Sequence, residues 1–303
     1  MAIDDIAEVG TTAELNRRSM MRTAGIGAGA AAIAATGLIG SSQPADAQTS
    51  GDAAILNFAL NLEYLEAEFY LRAATGQGLA ASATTGTGTQ GTVTGGSMVP
   101  FKSVAIQQYA NRIAVDEQAH VLFLRAALGS AAIAEPTINL TTSFTNLAIS
   151  AGLIVAGQTF NPFADDISFL LGASIFEDVG VTAYCGAASS IVNPTYLTAA
   201  AGILAVEAYH SGAIRTLLAN LGAGVAFNAI SALRGTLSAA VGGAGTQAEQ
   251  GILIPGNSYN FIPNDSNALA FRRTTAQVLN IVYGGGAASN YLFFPNKLNG
   301  SIS

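Results

Sequence analysis

Histidine is scarce in this chain. Two occur among 303 residues, with one cysteine and no tryptophan. A single cysteine, Cys185, excludes an intrachain disulfide framework and a thiolate metal cluster. It reads as a small buried hydrophobe. Charge is scarce as well: 10% of residues are Asp, Glu, Lys or Arg, and the formal net charge is −7. That balance argues against nucleic acid as a partner. Neither a P-loop nor a dinucleotide glycine fingerprint is present. What the chain has in quantity is apolar material, 50% of its residues. This is the composition of a core-rich globular protein and not of a disordered one.

Residues 1–47 have the order of a cleavable export signal. Paired Arg17 and Arg18 are followed by a mild Ala/Gly-rich run and then by the small-residue stretch Ala45–Asp46–Ala47. The twin arginine and weak hydrophobicity resemble a bacterial Tat signal. Cleavage near Ala47 would place the mature chain in the periplasm or outside the cell. A permanent membrane anchor is the alternative, against which stand the shortness and glycine content of the run.

Helical periodicity dominates the rest. It predicts helices over about 52–74, 101–128, 165–190 and 194–221, the last opened by Asn193–Pro194. Shorter helices are expected near 227–240 and 270–283. A Gly/Thr-rich loop, 75–99, separates the first two helices and is a candidate flexible arm or contact surface. The connection from 129 onward contains the strand-like "TINLTTSF". The expected organisation is an all-α four-helix bundle over 48–222, with a long crossover. An irregular, partly helical extension over 223–303 packs on it.

Both histidines sit three residues after a glutamate, Glu117/His120 and Glu207/His210. On a helix that spacing sets carboxylate and imidazole on one face, one turn apart, where both reach one ion. Two Glu-x-x-His helices plus one glutamate from each of two further helices is the donor set of di-iron and di-manganese bundles. The first helix offers Glu63, Glu66 and Glu68; the third offers Glu177 beside Asp178. Tyr70 follows Glu63 by seven residues and Tyr184 follows Glu177 by seven; Arg125 and Arg215 each follow a histidine by five. The two halves therefore carry the same marks in the same order, an internal repeat that predicts a pseudo-two-fold axis through the site.

The expected ligands are Glu63, Glu117, His120, Glu177, Glu207 and His210. Glu66 aligns with Gly180 and is an alternative or additional ligand. Tyr70 and Tyr184 are either core aromatics or hydrogen-bond partners of the nearby glutamates. Asp116 and Asp178 face solvent or stand behind the ligands. Arg125 and Arg215 pair with carboxylates or cap helix ends. Glu68 and Arg72 read as a surface pair. Without a cation, this many buried acids would be costly.

The segments "ILNFALNLEYLEAEFYLRAATG", "YANRIAVDEQAHVLFLRAALG", "FEDVGVTAYCGAA" and "LAVEAYHSGAIR" resemble the ferritin-like domain family, which includes plant desiccation-related proteins and Tat-exported bacterial proteins. "FRRTTAQVLNIVYGG" and "FFPNKLNG" near the C-terminus resemble it too. The resemblance implies a ferritin-like bundle with a dinuclear carboxylate site and a link to desiccation or stress. The Gly/Thr insertion departs from storage ferritins and speaks against their cage assembly.

Two functions follow as expectations. One is redox chemistry at two Fe or Mn ions, acting on peroxide, dioxygen or Fe(II). The other is a structural or protective role in the envelope or matrix, with the metal as a staple and loop 75–99 as a contact to polymers or to other copies of the chain.

Overall fold

A computed structural model describes residues 50–242, 249–256 and 258–303. The expected export signal lies outside the described residues. Four long helices carry the architecture: α1 (Ser50–Thr75), α2 (Val104–Leu128), α4 (Asp166–Ala187) and α5 (Pro194–Asn220). Between the pairs lies α3 (Thr142–Ser150); after them come α6 (Gly224–Ala240) and α7 (Thr275–Val282). Each long helix falls within two or three residues of its predicted span, because the apolar repeat and the caps agree. Ser103 caps α2 by accepting from Ile106 N, Asp165 caps α4 by accepting from Ser168 N, and Asn193 caps α5.

Helix α1 packs chiefly on α2, and α4 chiefly on α5. The two pairs are locked together at their ends. The Asp166 carboxylate, at the start of α4, accepts from Lys102 N and Ser103 N at the start of α2. The Asp52 carboxylate, at the start of α1, accepts from Val192 N and Asn193 N at the start of α5. Thus each half supplies an acid to the other half's helix N-terminus, where orphan N–H groups and the helix dipole favour it. Helix α4 is apolar and long enough to cross a membrane by length and composition, but 83% of that stretch is buried inside the bundle. It is the central core helix.

Phenylalanines fill the space beneath the bundle. Phe69 of α1 stacks on Phe169 with ring centroids 5.6 Å apart, and meets Phe176 edge-on. Phe144 of α3 and Phe293 of the C-terminal segment close the cluster. The strand expected over "TINLTTSF" is cut short, and its last three residues, Thr142 to Phe144, begin α3. Only Ile138–Asn139 (β2) is extended, pairing in parallel with Val93–Thr94 (β1). The Asn139 side chain then accepts from Thr141 N, turning the chain, and α3 begins so that Phe144 and Leu147 enter the core.

The Gly/Thr loop is laid along the segment after α2. Thr87 donates its backbone N–H to Ala132 and accepts from Ala134 N, and Asn299 bonds Thr89 and Ala134 from the C-terminal end. A Cβ at Gly91 would come within 2.2 Å of the Pro136 carbonyl carbon, so the close approach requires glycine. This loop also corrects the expected Glu68/Arg72 surface pair. Arg72 does donate to Glu68 at 2.6 Å, but Glu68 is 2% exposed and also accepts from Leu79 N of the loop. Cys185, expected to be buried, is half-buried.

A second polar cluster joins the extension to the second half. Asp178 of α4 accepts from Ser211 and Arg215 of α5 and from Arg234 of α6. Arg234 and Arg273 share Glu249. Asp178 is therefore not at the surface. Burial opposes its charge, but Arg215 and Arg234 outweigh that and hold its carboxyl far below the usual range.

Candidate metal centre

The middle turns of the four long helices meet at one point. Glu63, Glu117, His120 and Glu207 place one donor atom each within 4.8 Å of one another; so do Glu117, Glu177, Glu207 and His210. All six expected ligands are thus brought together, in two overlapping groups. Glu117 and Glu207 are common to both groups, the arrangement that bridging carboxylates need. Both imidazoles turn Nδ1 inward. His120 Nδ1 lies 3.2 Å from Glu63 Oε2 and 3.2 Å from Glu117 Oε2. His210 Nδ1 lies 3.1 Å from Glu117 Oε1 and 3.3 Å from Glu177 Oε2.

The donors are buried and unspent. Glu117, Glu177 and Glu207 are fully buried and Glu63 is 1% exposed. Glu63 Oε2, Glu117 Oε1, Glu177 Oε2, both oxygens of Glu207 and His210 Nδ1 have no hydrogen-bond partner. Buried polar atoms are rarely left so, and here they converge on one small space. Four carboxylates and two imidazoles, with no thiolate, form an oxygen-rich donor set suited to iron or manganese, and two divalent ions would neutralise the four acids. The residues fit a dinuclear centre.

The electrostatics are those of a site that demands positive charge. Burial pushes Glu207 well above the usual carboxylate range, and Glu66 and Glu117 add to it. Burial raises Glu117 to about 7 against the pull of His120 and His210. Burial opposes charge on the imidazoles too, but Glu63 outweighs it at His120 and Glu177 at His210, pushing both up to about 12. At Glu63, burial is overcome by His120, and its carboxyl falls below its ordinary value.

The tyrosines do not serve the glutamate on their own helix. Tyr70 donates to Glu177 and Tyr184 donates to Glu63, each across the pseudo-axis. Two turns of helix carry a tyrosine past its own glutamate, and α1 and α4 run antiparallel, so the partner's glutamate comes level with it. Arg125 and Arg215 keep the repeat as well: each donates to the residue that follows a ligand, Tyr64 and Asp178 respectively. Asp116 lies behind the site, its Oδ2 3.3 Å from His210 Nε2.

Glu66 belongs to neither donor group. It is buried, and that burial, with Glu117, Glu63 and Glu177 nearby, keeps its carboxyl well above the usual range. Its counterpart Gly180 has a different task. A Cβ there would lie 2.1 Å from Glu207 Oε2, so the missing side chain makes room for a carboxylate common to both donor groups. The crossed tyrosines and the Asp52 and Asp166 anchors were missed by reading each helix alone. The signal was in the spacing: 52 and 166, 63 and 177, and 70 and 184 are each 114 apart.

Comparison with known proteins agrees with this geometry. The model of the ferritin-like domain family matches residues 51–220, the span of the four long helices. The chain belongs to the ferritin-like domain family. Among ferritin-like relatives it is 33% identical over 248 residues to the desiccation-related protein PCC13-62 of Craterostigma plantagineum, covering 75% of this chain and 76% of that one. It is 28% identical over 271 residues to the ferritin-like catalase Nec2 of Nesocodon mauritianus, covering 83% and 85%. No solved structure matches.

Proposed function

We propose that this ferritin-like protein is exported, holds two Fe or Mn ions and removes peroxide during oxidative or desiccation stress. The observation that carries the reading is the sharing of Glu117 and Glu207 between two buried donor groups. The similarity to a protein named a ferritin-like catalase directs it to peroxide, and the signal-like pattern of residues 17–47 to export. Two bound ions would supply a two-electron couple, enough to oxidise one hydrogen peroxide to dioxygen and reduce a second to two waters.

The chain's own residues set the conditions for that chemistry. Tyr70 and Tyr184 hold one oxygen of Glu177 and Glu63, leaving the other directed at the centre. Glu66 is a further buried carboxyl beside the ligands, outside both donor groups. A small, mostly apolar crevice lined by Leu62, Glu66, Val179, Gly180, Val282 and Phe293 lies beside it.

A second reading makes the metal a staple. The burial of the four glutamates favours it, because a cation bound only in the folded state adds its binding energy to stability. So does the relative named for desiccation. One set of measurements separates the two: metal content of protein isolated from its own host, then peroxide and Fe(II)/dioxygen turnover and thermal melting with and without metal. Turnover lost on metal removal supports the redox reading. A large fall in melting temperature with no turnover in either state supports the staple. Host protein without metal overturns both.

A further inference from the structure

The pseudo-two-fold fails at a position that touches an imidazole. His210 faces the donor cluster through Nδ1, and on the opposite side of the ring its Nε2 meets Asp116 Oδ2 at 3.3 Å. Asp116 immediately precedes Glu117; the residue that precedes Glu207 is Val206. Among the described residues, no carboxylate pairs with His120 Nε2, and every acid contact of His120 runs through Nδ1. Asp116 is itself fixed. Arg112, one turn earlier on α2, holds both its oxygens, with Nε 2.8 Å from Oδ2 and Nη2 2.5 Å from Oδ1. The position matching Arg112 in the other half is Gly202. An Arg112–Asp116 pair of the first half therefore backs His210 of the second, whereas the matching positions of the second half, Gly202 and Val206, offer no such pair to His120.

Glu66, matched by Gly180, is a second break in the symmetry, but it belongs to neither donor group and is no partner of either imidazole. The tyrosine–glutamate bonds are crossed and alike, and Glu117 and Glu207 belong to both donor groups. When an ion displaces the Nδ1 proton, the carboxylate behind His210 can accept the remaining Nε2 hydrogen, which leaves the lone pair on Nδ1, facing the cluster. It also steadies the ring and raises its strength as a donor. Partners of this kind are worth about ten- to a hundred-fold in metal affinity.

We propose that the two metal positions are unequal. The position formed by Glu117, Glu177, Glu207 and His210 fills first and holds its ion about ten- to a hundred-fold more tightly than the one formed with Glu63 and His120. Asp116 is the positioning residue responsible. The proposal rests on the dinuclear reading above. Its consequence is that the protein under metal limitation is singly loaded at a defined position, not a mixture of empty and full molecules.

The test is an anaerobic titration of the metal-free full chain with Mn(II), followed by calorimetry and by the electron paramagnetic resonance of free and bound ion. Wild type is expected to bind two ions in resolved steps. His120→Ala should keep one ion with the tighter constant and His210→Ala one ion with the weaker. Asp116→Asn should weaken the tighter step about ten- to a hundred-fold and leave the other unchanged, with Asp116→Glu recovering part of the loss. Val206→Asp should tighten the weaker step, and it stands as an independent test if Asp116→Asn fails to fold. The proposal is overturned if Asp116→Asn weakens both steps equally or neither, or if His120→Ala removes the tighter site. Wild type that binds no ion, or only one, overturns the dinuclear reading itself.

Discussion

Tyr70 donates its phenolic hydrogen to Glu177, a carboxylate on the other half of the chain. The reciprocal bond, Tyr184 to Glu63, repeats it across the pseudo-axis. Removing either hydroxyl strands a buried carboxylate oxygen. Tyr70→Phe and Tyr184→Phe are each expected to destabilise the metal-free protein by about 1–3 kcal/mol. Each should also weaken the ion bound by the glutamate opposite. Urea denaturation and Mn(II) titration check this; a loss confined to the ion on the tyrosine's own helix would contradict the crossed geometry.

Gly180→Ala puts a methyl group where Glu207 Oε2 now lies, 2.1 Å from the ideal Cβ. Glu207 must swing away, and both donor groups lose a shared member. The expected outcome is a folded helical protein with fewer than two ions per chain, read by circular dichroism beside metal analysis. Full occupancy in this variant would mean that Glu207 is not a ligand.

Asp178 makes stability depend on acid. Its folded pKa lies far below the unfolded value of about 3.9 because Arg215 and Arg234 outweigh its burial. Its contribution is therefore complete above the unfolded value and is lost as pH falls through the folded one. Asp178→Asn leaves Arg215 and Arg234 short of a partner and is expected to cost about 3–5 kcal/mol at neutral pH. The difference from wild type should shrink in strong acid. Chemical denaturation at several pH values measures it.

Glu135 acts in the opposite direction. Burial, and then Glu68 beside it, raise its carboxyl to about 8, against about 4.3 in an unfolded chain. The folded state holds the extra proton, so this contribution is full below the unfolded value and fades as pH rises through about 8. Glu135→Gln keeps the neutral form and should flatten the fall in stability between about pH 4.3 and about 8. Melting temperatures across that interval decide it; an unchanged slope would place the titrating group elsewhere.

The four long helices and the six clustered candidate ligands were legible because they depend on local spacing. Glu117/His120 and Glu207/His210 declare a shared face within one helical turn, and Ser103, Asp165 and Asn193 mark helix starts. What was not legible depends on segments far apart in the chain. Glu68 looked exposed because nothing in its own helix announces that loop 75–99 covers it. Asp178 looked free because Arg234 and Glu249 lie far along the sequence. "TINLTTSF" has strand-like residues, yet the apolar side of α3 is drawn into the phenylalanine cluster, and tertiary packing overrides local preference. The tyrosines were placed beside the right kind of group but on the wrong helix, since one helix alone does not reveal the direction of its neighbour.

The anchors at Asp52 and Asp166 carry a consequence for each half taken alone. Each half gives its acid and its tyrosine hydroxyl to the other, and neither half encloses a complete donor group. A half taken alone would meet these needs only by pairing with a second copy of itself. Within that shared plan the halves differ at matched positions, Asp116 against Val206 and Glu66 against Gly180.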